Sequence, residues 1–391
     1  MIGIKAIQSD EVTRREKVSD VERKRIMFFI YRLGGGGAAR TLLNIINHLD
    51  RKRFEPILVT LDFTYPYERY VKEDVTFIKL PVKRLRQAIL PLAQLLRQET
   101  PDLLFSTVPN YNTVAILAKL LSGTKTKLVV REAAYLGGHF RENLKLKGYG
   151  FLYRFADRVV ALSEGVKDNL TKRYHVREDK IEVIYNPVDL AHIEAESKRE
   201  VELAPPFNQG KRIILTAGRL VPEKDHATLL RAFARIPKDY RAHLVLLGEG
   251  ELAQSLQELA QELGIEEDVS FLGFQQNPYA YMKQAEVFTL TSLSEGFGHV
   301  LVEALAVGLP IVSTRCNPGA EEILGDERYG ILVDVGDDKA LAEGLCQALD
   351  LSETEREAIV AKGKERAQDF SAQRIVAHYE TMFISILEGQ S

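Results

Sequence analysis

Ser294-Glu295-Gly296-Phe297-Gly298-His299-Val300-Leu301-Val302-Glu303-Ala304 places two carboxylates eight positions apart around a glycine turn that opens into an apolar run. The stretch before it, Glu286 to Leu290, reads as a buried parallel strand, and Leu309 to Ser313 reads as its successor. The run after Gly298 is therefore expected to be the crossover helix between them. Its unpaired N–H groups and positive dipole end would face the crevice beyond the strands, a setting that favours a diphosphate. Gly296 and Gly298 carry no side chain to hold such a ligand away. At a rise of about 1.5 Å per residue, Glu303 falls roughly one turn into the helix, within reach of a hydroxyl pair, while Glu295 stays in the loop at the ligand's other end. The blander reading is a capped helix with two solvent carboxylates.

Outward from this stretch, short apolar runs alternate with helix-period segments. Ile26 to Tyr31, Pro56 to Leu61, Val75 to Leu80, Leu103 to Thr107, Leu128 to Val130 and Val159 to Leu162 form one series. Arg212 to Ala217, His243 to Leu247, Val269 to Leu272, Val287 to Leu290, Pro310 to Ser313 and Ile331 to Val333 form a second. This rhythm predicts an α/β protein of two tandem Rossmann-like, doubly wound parallel-sheet domains. Residues 1–24 read as a poorly ordered extension, 25–190 as the first domain, 191–210 as the linker and hinge, 211–370 as the second domain, and 371–391 as a C-terminal helix. The linker reading rests on the charged and Pro/Gly-rich segment that ends Ala204-Pro205-Pro206-Phe207-Asn208-Gln209-Gly210.

A chain of 391 residues with 45% apolar and 27% charged content suits two ordinary globular domains. No apolar run approaches a membrane span and the N-terminus has no signal-peptide core, so a cytoplasmic protein is expected. Cys316 and Cys346 cannot make a disulfide framework, and no Cys/His spacing suggests a metal, so neither metal nor other cofactor is expected. Residues 1–200 hold 35 Lys+Arg against 25 Asp+Glu, a balance of +10; the remainder hold 17 against 30, a balance of −13. A basic half beside an acidic half fits an anionic acceptor, an anionic membrane or two mutually attractive domains, and no nucleic-acid-binding signature accompanies it.

The second series opens with a strand that runs into Gly218-Arg219-Leu220-Val221-Pro222-Glu223-Lys224-Asp225. Ligands of open parallel sheets lie beyond the carboxyl ends of strands, so Arg219 and Lys224 emerge where they can neutralise a diphosphate and stabilise it as it departs. Gly248 follows the next strand in a Gly-Glu-Gly turn, and Gly273-Phe274 follows the one after. In the first series, the opening strand runs into Gly34-Gly35-Gly36-Gly37-Ala38-Ala39-Arg40, whose backbone amides would reach the cleft. Gly34, Gly36 and Ala39 with Asp62 also fit a dinucleotide loop loosely, which keeps an NAD-dependent oxidoreductase as a competing reading. A non-catalytic nucleotide-sugar or glycan-binding protein is the other.

The Glu-x7-Glu pair with its internal Gly-Phe-Gly, the Gly-Arg-Leu…Glu-Lys-Asp run and the Gly-Gly-Ala-x-Arg loop together resemble the retaining family 4 glycosyltransferases, across residues 25–391. The resemblance implies the GT-B fold, with the last helix returning to the first domain, and a metal-independent retaining hexosyltransferase that moves a hexose or N-acetylhexosamine from a nucleotide sugar, UDP-linked. Glu295 would contact the transferred sugar and Glu303 the ribose, with Arg219 and Lys224 on the phosphates. Gly36, Gly37, Gly248, Phe274, Gly296, Phe297, Gly298, His299 and Val300 would line the donor site. Many relatives place a histidine after the strand Leu128 to Val130; this chain has Arg131-Glu132 there, with His139 further on, and these three are the candidate acceptor or sugar contacts. Arg131 and Glu132 equally suit a structural ion pair. His299 stands where a small or polar residue is usual. Asn186-Pro187 and Asn317-Pro318-Gly319 read mainly as turns. Glycan, lipid-linked or small-molecule acceptors of bacterial cell-surface polysaccharide or glycoconjugate synthesis are the implied partners, and residues 83–97, basic with an apolar stripe, suit peripheral contact with an anionic membrane.

Overall fold

The structure is a computed structural model that describes residues 23–34, 37–137, 140–200, 206–207, 209–316 and 318–389. The extension proposed for residues 1–24 lies almost wholly outside them. The first seven strands are β1 (Lys24–Phe29), β2 (Phe54–Leu61), β3 (Thr76–Leu80), β4 (Leu103–Thr107), β5 (Lys127–Glu132), β6 (Arg158–Ala161) and β7 (Ile181–Val183). They form one parallel sheet in the order β3-β2-β1-β4-β5-β6-β7. The second sheet contains β8 (Arg212–Ala217), β9 (Ala242–Leu247), β10 (Val269–Phe271), β11 (Val287–Leu290), β12 (Ile311–Thr314) and β13 (Ile331–Val333), in the order β10-β9-β8-β11-β12-β13. Both orders reverse once, between β1 and β4 and between β8 and β11, and such switch points are where a crevice opens.

Strands such as β4 and β11 are buried at every position because helices cover both faces of the sheet. One face of the first sheet is covered by the helices Gly37–His48 and Ala372–Leu387, the latter from the far end of the chain. Ile375, Val376, Tyr379, Met382, Phe383 and Ile386 of that last helix enter one core with Phe28, Phe54 and Phe105. The ring of Phe383 lies 6.1 to 6.4 Å from those of Phe28, Phe54 and Phe105. At about 1.5–3 kcal/mol for each large apolar side chain buried, this docking ties the return crossing firmly.

Two differences from the sequence reading have physical causes. β7 is three residues long, Ile-Glu-Val, and too short for a periodic signal, so the first series has seven strands rather than six. The crossing between lobes also lies elsewhere than in 191–210. Leu190–Ser197 is a helix packed on the helices Pro278–Met282 and His299–Val307 of the second lobe. The chain crosses at Val188 and returns at Ser371, where the two segments pair side by side: Val188 N donates to Phe370 O at 2.9 Å and Ala372 N to Val188 O at 2.8 Å. Composition marks a loop but carries no information about which segments will pair.

Candidate active site

The helix His299–Val307 starts immediately after Gly298, whose φ of +89° is a left-handed conformation that glycine adopts without penalty. Glu303 is one turn in, nearly buried, and its Oε1 accepts from Arg40 Nη1 of the opposite lobe. Tyr279 is buried beside the pair; burial and then the Glu303 charge push its phenol up. The Arg40 guanidinium is held above its ordinary range by Glu303. Lys224 follows β8 and Glu295 follows β11, so the switch point of the second sheet brings them together: Lys224 Nζ pairs with Glu295 Oε1, which also accepts from Ser292 Oγ at 2.8 Å. Thr291 Oγ1 steadies the lysine loop through Lys224 O at 2.9 Å. Arg219 is exposed on the same loop.

His299 sits where the lobes meet. Asn186 accepts Arg131 Nη2 with its Oδ1, which turns its Nδ2 toward His299 Nε2 at 2.9 Å; Thr41 Oγ1 lies 3.1 Å from the same nitrogen. Nε2 is thus an acceptor and the neutral ring carries its proton on Nδ1, a buried atom with no partner among the described residues. Burial, with Arg40 and Arg131 nearby, pulls the imidazole down to about 3. A Cβ added to Gly37 would rest 3.6 Å from the His299 ring, so the first glycine loop closes directly on this turn.

Other expected residues occupy different surroundings. Gly36 and His139 lie outside the described residues. Gly248 (φ +142°) admits the protein's own backbone rather than open cleft: its Cβ would stand 1.9 Å from Gly218 O. Gly296 abuts the first lobe, with Ala133 O 3.2 Å from an added Cβ. Phe297 is buried between Tyr185 and Phe370 at the crossing. Val300 is half-buried in the first turn of its helix, packed against the core, and Phe274 is 68% exposed after β10.

Arg131 and Glu132 form neither an ion pair with each other nor a surface that faces solvent. Adjacent strand residues point to opposite sides of a sheet. Arg131 goes to Thr107 Oγ1 (3.0 Å) and Asn186; Glu132 accepts from Tyr153 O–H at 2.8 Å, and burial lifts its carboxyl to about 7. Arg40, Thr41 and Asn186 complete the site without having been singled out. Arg40 ends the quoted Gly-Gly-Ala-x-Arg run and Thr41 follows it, but only the docking of the second lobe gives them partners. Residues 83–97 form a 3-10 turn, Leu85–Ala88, and the helix Ile89–Glu99; Lys83, Arg84, Arg86 and Leu90 face outward while Leu92, Ala93, Leu95 and Leu96 are buried.

Residues 35–192 match the family described as Glycosyltransferase Family 4, and 197–366 match Glycosyl transferases group 1. Among curated proteins, the chain is 34% identical over 370 residues to the N-acetylgalactosamine-N,N'-diacetylbacillosaminyl-diphospho-undecaprenol 4-alpha-N-acetylgalactosaminyltransferase of Campylobacter jejuni, covering 90% of this chain and 97% of that one. A solved glycosyltransferase from Rickettsia africae superposes with a TM-score of 0.79 at 19% identity, over 94% and 99% of the two chains. HepE from Anabaena, solved in complex with UDP, superposes with 0.77 at 21% identity, over 93% and 100%. Both lobes being matched, and a relative this similar being aligned along nearly its whole length, the chain belongs to the family 4 glycosyltransferases of the GT-B fold.

Proposed function

We propose that this glycosyltransferase moves a hexose or N-acetylhexosamine from a UDP-sugar to a lipid-linked or glycan acceptor of bacterial surface glycoconjugate synthesis, with retention and without metal. The carrying observation is that Lys224 and Glu295 pair at the switch point of the second sheet, while Glu303 and His299 on the helix that follows meet Arg40 and Gly37 of the other lobe. The Campylobacter relative, named for transfer of N-acetylgalactosamine to an undecaprenol-linked acceptor, supports the substrate class. In this reading Glu303 holds the ribose and Glu295 the sugar, while Lys224, Arg219 and the N-terminus of helix His299–Val307 balance the diphosphate. The bond from the anomeric carbon to the diphosphate oxygen breaks, the acceptor oxygen bonds to that carbon on the same face, and the acceptor's proton passes to the departing oxygen. Among the described residues no helix is long and apolar enough to cross a membrane. We place contact with the inner membrane face at the outward Lys83, Arg84, Arg86 and Leu90, which would bring a lipid-linked acceptor to the first lobe.

A panel of nucleotide sugars and NAD, read by thermal shift and by transfer to an undecaprenyl-diphosphate-linked glycan, tests the proposal. One UDP-sugar should stabilise the protein and be consumed, and Lys224→Ala should lower turnover by about 10²–10³-fold. Stabilisation by NAD alone, or UDP-sugar binding with no turnover under any acceptor, would refute it.

A further inference from the structure

A second contact joins the lobes away from Arg40 and Glu303. The helix Glu164–Lys172 of the first lobe is capped by Ser163, whose Oγ accepts from Val166 N. Its first two N–H groups, on Glu164 and Gly165, have no partner within the helix, as at any helix start. Both donate at 2.9 Å to one carboxylate of the second lobe, Glu322, one to each oxygen. The charge sits on the positive end of the helix dipole, and charge-assisted bonds of this kind are the stronger ones. Gly165 makes the approach feasible, since a Cβ there would stand 2.0 Å from Pro318 Cβ.

Glu322 is joined to the site by a short, stiff path. It lies in the helix Gly319–Leu324, which is anchored from behind by Arg366 through Glu322 O at 2.6 Å and Ile323 O at 3.1 Å. The first residue of that helix, Gly319, donates to Glu295 O at 3.0 Å, and Pro318 bridges Glu295. Whatever holds Glu322 against the first lobe therefore also sets where the Glu295 loop stands relative to that lobe. Resting on the glycosyl-transfer reading, we propose that Glu322 is a positioning residue for transfer. Its carboxylate clasps the start of helix Glu164–Lys172 when the cleft closes and seats Glu295 against the acceptor lobe, without touching the donor.

The test compares Glu322→Ala, Glu322→Gln and Gly165→Ala with the unaltered protein, each first checked for an unchanged circular dichroism spectrum. Because misplacement of about 1 Å can cost on the order of 100-fold in rate, Glu322→Ala is expected to lower kcat by about 10- to 100-fold. The Kd for UDP should stay within about twofold, since the groups proposed for the ribose and the diphosphate, Glu303, Lys224 and Arg219, lie in the second lobe. Glu322→Gln keeps one acceptor oxygen and should recover part of the rate; Gly165→Ala should reproduce the loss with Glu322 intact. An unchanged kcat in Glu322→Ala, or equal losses of kcat and UDP affinity, overturns the proposal. Small-angle scattering separates the clasp from the functional reading. If the unaltered protein transfers no sugar, the glycosyl-transfer assignment fails and the positioning role falls with it. The clasp then stands on a larger radius of gyration in Glu322→Ala and Gly165→Ala than in the unaltered protein, and identical curves remove it as well.

Discussion

Gly248→Ala is a severe test of how the donor-side loops are built. An added Cβ would sit 1.9 Å from Gly218 O and 2.9 Å from Gly218 C, both backbone atoms. Relieving the first contact to about 3.2 Å requires the two loops to separate by roughly 1.3 Å, because core packing leaves no slack at this density. Such a shift would break the bonds that knit the ends of β8, β9 and β10, from Gly248 N to Gly273 O at 2.8 Å and from Gly218 N to Leu247 O at 2.9 Å. Two lost hydrogen bonds at about 1 kcal/mol each, with about 1–3 kcal/mol of strain for a side chain at a φ of +142°, sum to roughly 3–5 kcal/mol. Gly264→Ala is the control: its φ is also positive, +67°, but nothing lies within 4 Å of the added carbon, so only the left-handed penalty of about 1–2 kcal/mol applies. Urea unfolding followed by circular dichroism reads both. A Gly248→Ala variant no less stable than Gly264→Ala would refute the close-approach reasoning, and its loss of UDP binding at full stability would return the glycine to a ligand role.

Glu303→Ala should weaken UDP binding by roughly tenfold or more, the about 1.5–3 kcal/mol of a hydrogen bond to a charged group; calorimetry that finds Kd within twofold would remove Glu303 from the ribose. The Glu132 carboxyl, lifted from its ordinary 4.5 to about 7 by burial, is protonated in the fold over a range where the unfolded chain is ionised. Its contribution is therefore full below pH 4.5 and is lost as pH rises to about 7, on the order of 3 kcal/mol. Glu132→Gln should match the unaltered protein near pH 4.5 and exceed it at pH 8, and parallel stability curves would contradict this. His299, held down to about 3, and His226 and His243, to about 4, act with the opposite sign. Stability present above pH 6.5 is lost as pH falls and these rings must protonate, so His299→Asn should flatten the acid limb of a pH–urea series. Cys316, buried with its thiol pushed up to about 12, should resist iodoacetamide at pH 8 while Cys346, half-buried, reacts first; equal labelling by mass spectrometry would argue against that packing.

The local pattern was enough for the tandem parallel-sheet architecture, since apolar runs of strand length separated by helix-period segments have few other ways to bury both faces. It was also enough to put Glu295 in a loop, the helix start at Gly298 and Glu303 one turn beyond, because these depend on backbone geometry within a few residues. Partners were a different matter. That Glu303 meets Arg40, that Lys224 meets Glu295, and that Asn186 links Arg131 to His299 are consequences of how strands order themselves and how one lobe docks on the other. Gly248 and Gly296 each looked like a place for a ligand or a simple turn, yet each abuts the chain's own backbone. Glycine spacing records that something approaches closely; only contacts between residues far apart along the chain decide what it is.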